Sequence, residues 1–455
     1  MTATVSHEKL LVGNALCHYY PRLRQLAQQL TVSRPPARVF TPEFELPQLD
    51  PQVVDFLQAS EVGIAKLTAY RGVPITVLDL MRNPATRTTK TMASLLMVAR
   101  AVRHIRQTGE PIRLLTPSSA NKATALRDAV LRAVECGLVT PDQLTIATVV
   151  PTASRPKLWS SRLSTDPELR LRNPVLTFAG RDRSGVKQIA IQMVEEHGED
   201  YYRSTGGRLW YTLDLDNYRL ADAARSWIEA DHLPATGPGH THRMHVHAVS
   251  SAYGLLGHQL GREHANAATP VPQYFLVQHL DTPDMVLSLC FGSTDRRNLP
   301  DYWWDEAEGL FRQSQDPRFP LTTLDPDELI DPTFYTHNPP TSAFMNELIA
   351  SNGGGGIVVS LHECLSRYGQ VRALLAAGGI RLPADPRQLR EWSLTMAATG
   401  LLEAIDRGFI GDTDVLLHAS GSYATSDYQP LPEAAIHPVT TSEDVRDVVF
   451  AAAAG

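Results

Sequence analysis

The sequence predicts an α/β protein of two domains with twisted, mostly parallel sheets. Three observations carry this. Short apolar runs alternate with segments whose apolar residues recur at helical spacing, the pattern of parallel strands joined by crossover helices. Four turns of small polar residues fall at strand–helix junctions, where parallel sheets place ligands. A chain of 455 residues also exceeds one core, at a prior of about 150 residues per domain.

Residues 1–60 read as an N-terminal extension. Leu10 to Leu30 suits one or two helices, and the five prolines that follow up to Pro51 exclude a regular helix. From Pro74 to Leu80 the pattern is a strand, and Asn83-Pro84 is a turn. Leu95, Val98, Ala99, Val102 and Ile105 mark a helix from about Thr91 to Thr108, ended by Gly109. Ile112–Leu115 is a short buried strand, and Leu126, Ala129, Val130, Ala133 and Val134 mark a helix running to Gly137. Strands follow at Leu144–Val150 and Val175–Phe178, then a helix carrying Val186, Ile189, Ala190, Met193 and Val194. Met244–Val249 and Tyr274–Val277 are further strands. Pro- and Trp-rich loops fill 291–345 as an insertion. Helix Gln388–Arg407, strand Val415–His418 and the turn Ser420–Tyr423 complete the pattern. The expected division gives 61–85 and 215–455 to a large domain and 86–214 to a small one.

Composition narrows the function. Hydrophobic residues make up 43% and charged residues 20%, as in ordinary soluble globular proteins. A net charge of −7 leaves no basic field to neutralise phosphates, so no nucleic-acid partner is expected. There is no run of 18 apolar residues and no signal peptide at the start, so no membrane partner is expected either. Cys17, Cys136, Cys290 and Cys364 lie far apart without CxxC spacing and read as reduced thiols of a cytoplasmic protein. Only six of the 42 basic residues are lysines, and none follows Lys187.

The first turn, 83–94, sets Lys90 at the start of an amphipathic helix among small hydroxylated residues. A helix N-terminus lowers an amine's pKa, which imine chemistry requires of a lysine. A solvated surface lysine is the plainer reading of that residue alone. The second turn, Ser118-Ser119-Ala120-Asn121, aims hydroxyls and an amide at a helix N-terminus, a geometry for a carboxylate; a simple N-cap by Ser118 or Ser119 explains it equally. In the third, Ser250-Ser251-Ala252-Tyr253-Gly254 opens a helix as a phosphate cradle or a capped, closely packed turn. The fourth holds Ser420 and Ser422. The run His240, His242, His245, His247, with His258 and His264 beyond, lacks the partners of a known zinc motif, so no metal is expected.

Taken in order, these motifs resemble the fold-type II pyridoxal-phosphate enzymes of the tryptophan synthase beta superfamily, and within it threonine synthase. The family's N-P-T-G-S-F-K-D-R stands here as Asn83-Pro-Ala-Thr-Arg-Thr-Thr-Lys90-Thr-Met92, one residue longer and without the Asp-Arg. Its S-T/S-G-N stands as Ser118–Asn121 with Ala120 for glycine. Its G-N-A-G-N loop is replaced by 250–254, and its T-G-H-G turn by Ser420–Tyr423. The resemblance spans roughly 65–425 and marks a divergent branch. It implies pyridoxal 5'-phosphate as cofactor, carried by Lys90, which also shuttles substrate protons. It places Asn121 on the cofactor's phenolic oxygen, Ser118, Ser119, Ala120 and Asn121 around the carboxylate of an amino-acid substrate, 250–254 on the phosphate, and Ser420 or Ser422 at the pyridine nitrogen. It makes the large domain the cofactor-binding one and implies a homodimer.

The expected activity is elimination or replacement at the β- or γ-carbon of an amino acid bearing a phosphate, acyl or sulfonium leaving group, in specialised-metabolite biosynthesis. γ-Elimination or cyclopropane formation from S-adenosylmethionine falls within that range. A cysteine synthase-like β-replacement is the nearest rival. A non-catalytic protein that kept the fold is separated from both by cofactor absorbance, and a histidine-based metalloenzyme by elemental analysis. The tetraglycine Gly353–Gly356 resembles the phosphate loop of serine dehydratases, but its place before Ile357–Glu363 argues against that role.

Overall fold

The computed structural model describes residues 9–32, 39–180, 185–233, 242–265 and 270–454. The chain folds into two compact units, each assembled from separate stretches of sequence: 1–12, 61–82 and 225–427 form the first, and 13–60, 83–224 and 428–455 the second.

The first unit is built on a seven-stranded sheet in the order Lys9–Val12, Val62–Lys66, Ile75–Asp79, Asp414–Ala419, His242–Ala248, Val271–His279, Gly354–Val359. The last five run parallel, and the first two are added antiparallel. Apolar layers cover both faces, one including Ala397, Leu401 and Leu402 of helix Ser393–Asp406 and the other Leu255, Met285 and Met345. Burial on both faces is why Ile75–Asp79 and Asp414–Ala419 read as largely apolar runs.

The second unit holds a five-stranded, wholly parallel sheet in the order Ile436–Val439, Val175–Phe178, Leu144–Pro151, Ile112–Pro117, Arg208–Tyr211. Helix Lys90–Thr108 is buried on every side from Thr91 to Val102 and ends at Gly109, whose φ of 77° closes it in the left-handed region. Truncating Leu95, fully buried there, would cost about 2–5 kcal/mol.

Several expectations are corrected. The described residues of 13–60 pack into the second unit: Ala15, Leu16, Leu23 and Leu26 are buried, and Pro42–Phe44 is tied down by Arg100. That guanidinium donates to the carbonyls of Glu43 (3.0 Å) and Pro42 and to Asn217 Oδ1 (2.6 Å), and lies over the Phe44 ring. Residues 428–455 belong to the second unit, because strand Ile436–Val439 extends its sheet and helix Ser442–Ala454 shares a core with Val186 and Met193. The late helix begins at Ser393 rather than Gln388, since Leu389–Glu391 pairs as a strand with Tyr423–Ala424. The 291–345 insertion contains a three-stranded antiparallel sheet, Trp303–Asp305, Leu310–Arg312 and Thr322–Thr323. The tetraglycine enters the edge strand Gly354–Val359, where a Cβ on Gly354 would lie 2.1 Å from the Tyr274 carbonyl oxygen. Close strand approach explains that glycine, so no phosphate loop is needed there.

Candidate active site

The sequence-predicted residues fall into two groups, one in each unit. In the second unit, Asn83 opens the first turn: its Oδ1 accepts from the Ala85 amide (3.1 Å) and its Nδ2 donates to Asp128 (2.9 Å). Buried threonines then brace the loop, with Thr86 and Thr91 hydroxyls 2.6 Å apart and Thr91 donating to the Thr88 carbonyl (3.0 Å). Lys90 is the first residue of its helix, half-buried, with Nζ 4.9 Å from the centre of the Tyr218 ring. An ammonium over an aromatic face is held by the ring quadrupole.

The second turn joins strand Ile112–Pro117 to helix Asn121–Glu135. Ser118 Oγ accepts from the amides of Ala120 (3.1 Å) and Ala123 (2.9 Å), so this hydroxyl holds the turn. Ala120 adopts φ 124°, ψ −57°, a conformation natural to glycine and costly for any L side chain. Asn121 is buried at the helix start. The next residue, Lys122, is buried with its ammonium donating to the Thr212 carbonyl (3.0 Å). Burial, then the charge of Lys90, pulls its pKa down to about 7.

In the first unit, strand His242–Ala248 leads through Ser250, Ser251 and Ala252 into helix Tyr253–Ala265. Ala252 is left-handed (φ 51°), and Thr341 donates to the Ser251 carbonyl (2.8 Å), pinning the loop. The Ser250 hydroxyl is buried and has no hydrogen-bond partner. Arg225, 1% exposed, packs its guanidinium against Gly254, where a Cβ would sit 2.8 Å from Nη1. Glycine at 254 therefore lets a buried cation reach the loop. Ser420 is buried just past strand Asp414–Ala419, and the following Gly421 packs against the buried Glu391.

Beneath this loop lies a polar cluster. His245 and His247 share one face of their strand, with rings 5.3 and 5.5 Å from that of His418. His242, of opposite parity, is exposed, and His240 lies outside the described residues. His418 Nε2 is 3.0 Å from His245 Nδ1, and its Nδ1 is 3.3 Å from Arg225. Glu229 accepts from Arg243 (2.8 Å), and its Oε2 lies 2.6 Å from His258 Nε2. Burial holds His245 down to about 3 and His418 well below the usual histidine range, so both are neutral near pH 7. Burial works against ionised Glu229, but its polar neighbours, Arg243 and His258 among them, outweigh it and hold its pKa down to about 2. Glu229, Arg225, Arg243 and His418 are not among the residues the sequence singles out. A lone carboxylate on the apolar face of Ser-Trp-Ile-Glu229-Ala is the available signal for the first.

A family model described as "Family of unknown function (DUF6002)" matches residues 11–453. The chain belongs to the DUF6002 family. No curated protein matches it. Among solved structures, the pyridoxal-phosphate-bound threonine synthase of Brucella melitensis aligns with this DUF6002 chain at TM-score 0.52 and 12% identity, over 97% of this chain and 88% of that one. The likeness gives the fold, that of the type II pyridoxal-phosphate enzymes. A threonine deaminase of Solanum lycopersicum aligns at TM-score 0.47 and 12% identity over 90% and 91% of the two chains. An L-serine ammonia-lyase of Rhizomucor miehei aligns at 0.46 and 13% over 77% and 89%.

The residues of this DUF6002 protein fit the phosphate end of that cofactor. An orphaned hydroxyl, the start of helix Tyr253–Ala265 and a buried guanidinium lie at 250–254, a donor set that suits an anion. Among the described residues, no helix is long and apolar enough to cross a membrane.

Proposed function

We propose that this DUF6002 protein is a pyridoxal-phosphate-dependent enzyme that eliminates or replaces a leaving group at the β- or γ-carbon of an amino acid. The observation that carries the reading is the third turn, with the unsatisfied Ser250 hydroxyl and Arg225 behind Gly254. When bound, the cofactor supplies an electron sink for carbanions formed next to the substrate's amino group. Lys90, first residue of its helix with Nζ over the Tyr218 ring, is the residue to carry it and to move protons at its Nζ; Lys122 is buried against the Thr212 carbonyl. Asn121 and Ser119 orient the cofactor and the substrate carboxylate, and Ser118 positions them by holding the turn. The strain at Ala120 favours catalysis over a merely retained fold, since costly backbone persists where function requires it. Ser420 offers the ring nitrogen a hydroxyl, which suits elimination and replacement. A phosphate, acyl or sulfonium leaving group, a specialised-metabolite role, a homodimer and a cytoplasmic location complete the reading.

The test is the absorption spectrum of purified protein with added pyridoxal phosphate, before and after borohydride. A cofactor band removed by reduction, with the pyridoxyl label on Lys90, is the expected result. No band at saturating cofactor, or a label on Lys122, overturns it.

A further inference from the structure

We propose that Glu229, His245 and His258 form a buried site for a divalent transition-metal ion of the zinc class, separate from the candidate cofactor residues. Helix Ala224–His232, strand His242–Ala248 and helix Tyr253–Ala265 each supply one residue, and the three donor atoms lie within 4.8 Å of one another. All three side chains are essentially inaccessible to solvent.

With Tyr274 donating to Gln259, the hydrogen bonds around His258 call for a cation at this point. Gln259 donates through Nε2 to Glu263 (2.8 Å), so its Oε1 faces Tyr274 and accepts that hydroxyl proton (3.2 Å). The Tyr274 oxygen, its proton already committed, accepts from His258 Nδ1 (2.9 Å). His258 Nε2 therefore meets Glu229 Oε2 at 2.6 Å with its own hydrogen already on the other nitrogen. A lone pair and a carboxylate oxygen repel at that distance unless a proton or a metal ion lies between them.

His245 favours the metal. Its Nε2 is buried without a hydrogen-bond partner, 3.7 Å from Glu229 Oε1, so a third donor faces the same spot unused. Glu229 Oε1 is occupied by Arg243, which also pairs with Asp414 (2.7 Å), leaving Oε2 for the ion. Both imidazoles are held through their far nitrogens, by Tyr274 and by His418, the outer support that metal-bound histidines typically have. Two imidazoles, one carboxylate oxygen and a water make a tetrahedral zinc set. Binding displaces the proton between His258 and Glu229 to solvent. It also places the His245 proton on Nδ1, donated to His418, whose own proton then faces Arg225; that 3.3 Å contact is the one that lengthens. A site so enclosed pins two helices to the sheet.

The full chain, freed of metal by a chelator and dialysed, is titrated with cobalt(II) and then zinc. The expected result is one ion per chain, intense visible cobalt bands of a tetrahedral nitrogen–oxygen site that zinc abolishes, and a thermal transition shifted upward by either metal. Glu229→Gln and His258→Gln lose the bands, and His437→Gln, in the other unit, keeps them. Should the first two variants not fold, the wild-type spectrum decides. Cobalt bands like those of the ion in water, or no uptake by a chain that keeps its circular dichroism, overturns the site and makes the cation a proton. The outcome does not depend on pyridoxal phosphate, which is absent from every measurement.

Discussion

The turns at 118–121 and 250–254 share a sequence pattern, two serines and small residues entering a helix, yet they are built on opposite electrostatics. The first satisfies itself: Ser118 takes two backbone amides, and the cation beside it, Lys122, is buried, tied to a carbonyl and shifted down to about 7. The second leaves Ser250 unsatisfied and brings a guanidinium against its glycine. A guanidinium keeps its charge at any pH a protein survives, and an amine under burial does not. The second turn is therefore the one we propose as the anion site, and the first is a shaped surface suited to orientation. Local sequence pattern does not distinguish them; what packs behind them does.

The comparison breaks most sharply at Arg225. Arg225→Met is expected to weaken pyridoxal-phosphate binding about 100-fold, at ~3 kcal/mol for a charge-assisted contact, whereas Ser118→Ala leaves that affinity within a factor of about two; equilibrium dialysis reads both. Lys122 gives the next effect. Its folded pKa lies below its unfolded one, so the unfolded chain binds more protons between about 7 and 10.5, and stability rises with pH across that window. The gain from pH 7 to 9 is about 2 kcal/mol and disappears in Lys122→Met, measured by urea unfolding at both values. Ser118→Ala should cost about 1–2 kcal/mol in the same assay, the usual loss for a helix-start cap. The smallest effect sharpens the pair: Ala120→Gly is expected to stabilise by about 1 kcal/mol and Ala252→Gly by less, because φ 124° is worse for alanine than φ 51°. Equal gains at both positions would show that the two backbones are not differently strained.

Much of the framework is legible in the sequence because it rests on local periodicity. Val175–Phe178 coincides with its predicted strand, and the predicted helix from Thr91 to Thr108 differs by one residue. The late helix is shorter than its pattern predicts because Leu389–Glu391 takes its strand conformation from Tyr423–Ala424, a partner more than thirty residues away. Ala120 is visible as a departure from glycine, but only the structure shows the backbone keeping the glycine conformation around it. Arg225, Glu229, Tyr274 and His418 are invisible for a different reason. They come from one helix, Ala224–His232, and two strands far from it in sequence, and they meet only once the seven-stranded sheet has assembled. A single sequence gives residue types and faces, not which faces meet.

Strand Ile436–Val439, at the edge of the five-stranded sheet, has a consequence for how the protein is made. The strand it covers, Val175–Phe178, leaves the ribosome early and waits while the whole of 225–427 is synthesised. The seven-stranded sheet can be complete by Ala419, before the unit that carries Lys90 has its last strand and helix. In a nascent chain the open edge of Val175–Phe178 is thus the surface most exposed to wrong pairing. A change within 436–454 acts on that unit's assembly, far along the sequence from Lys90.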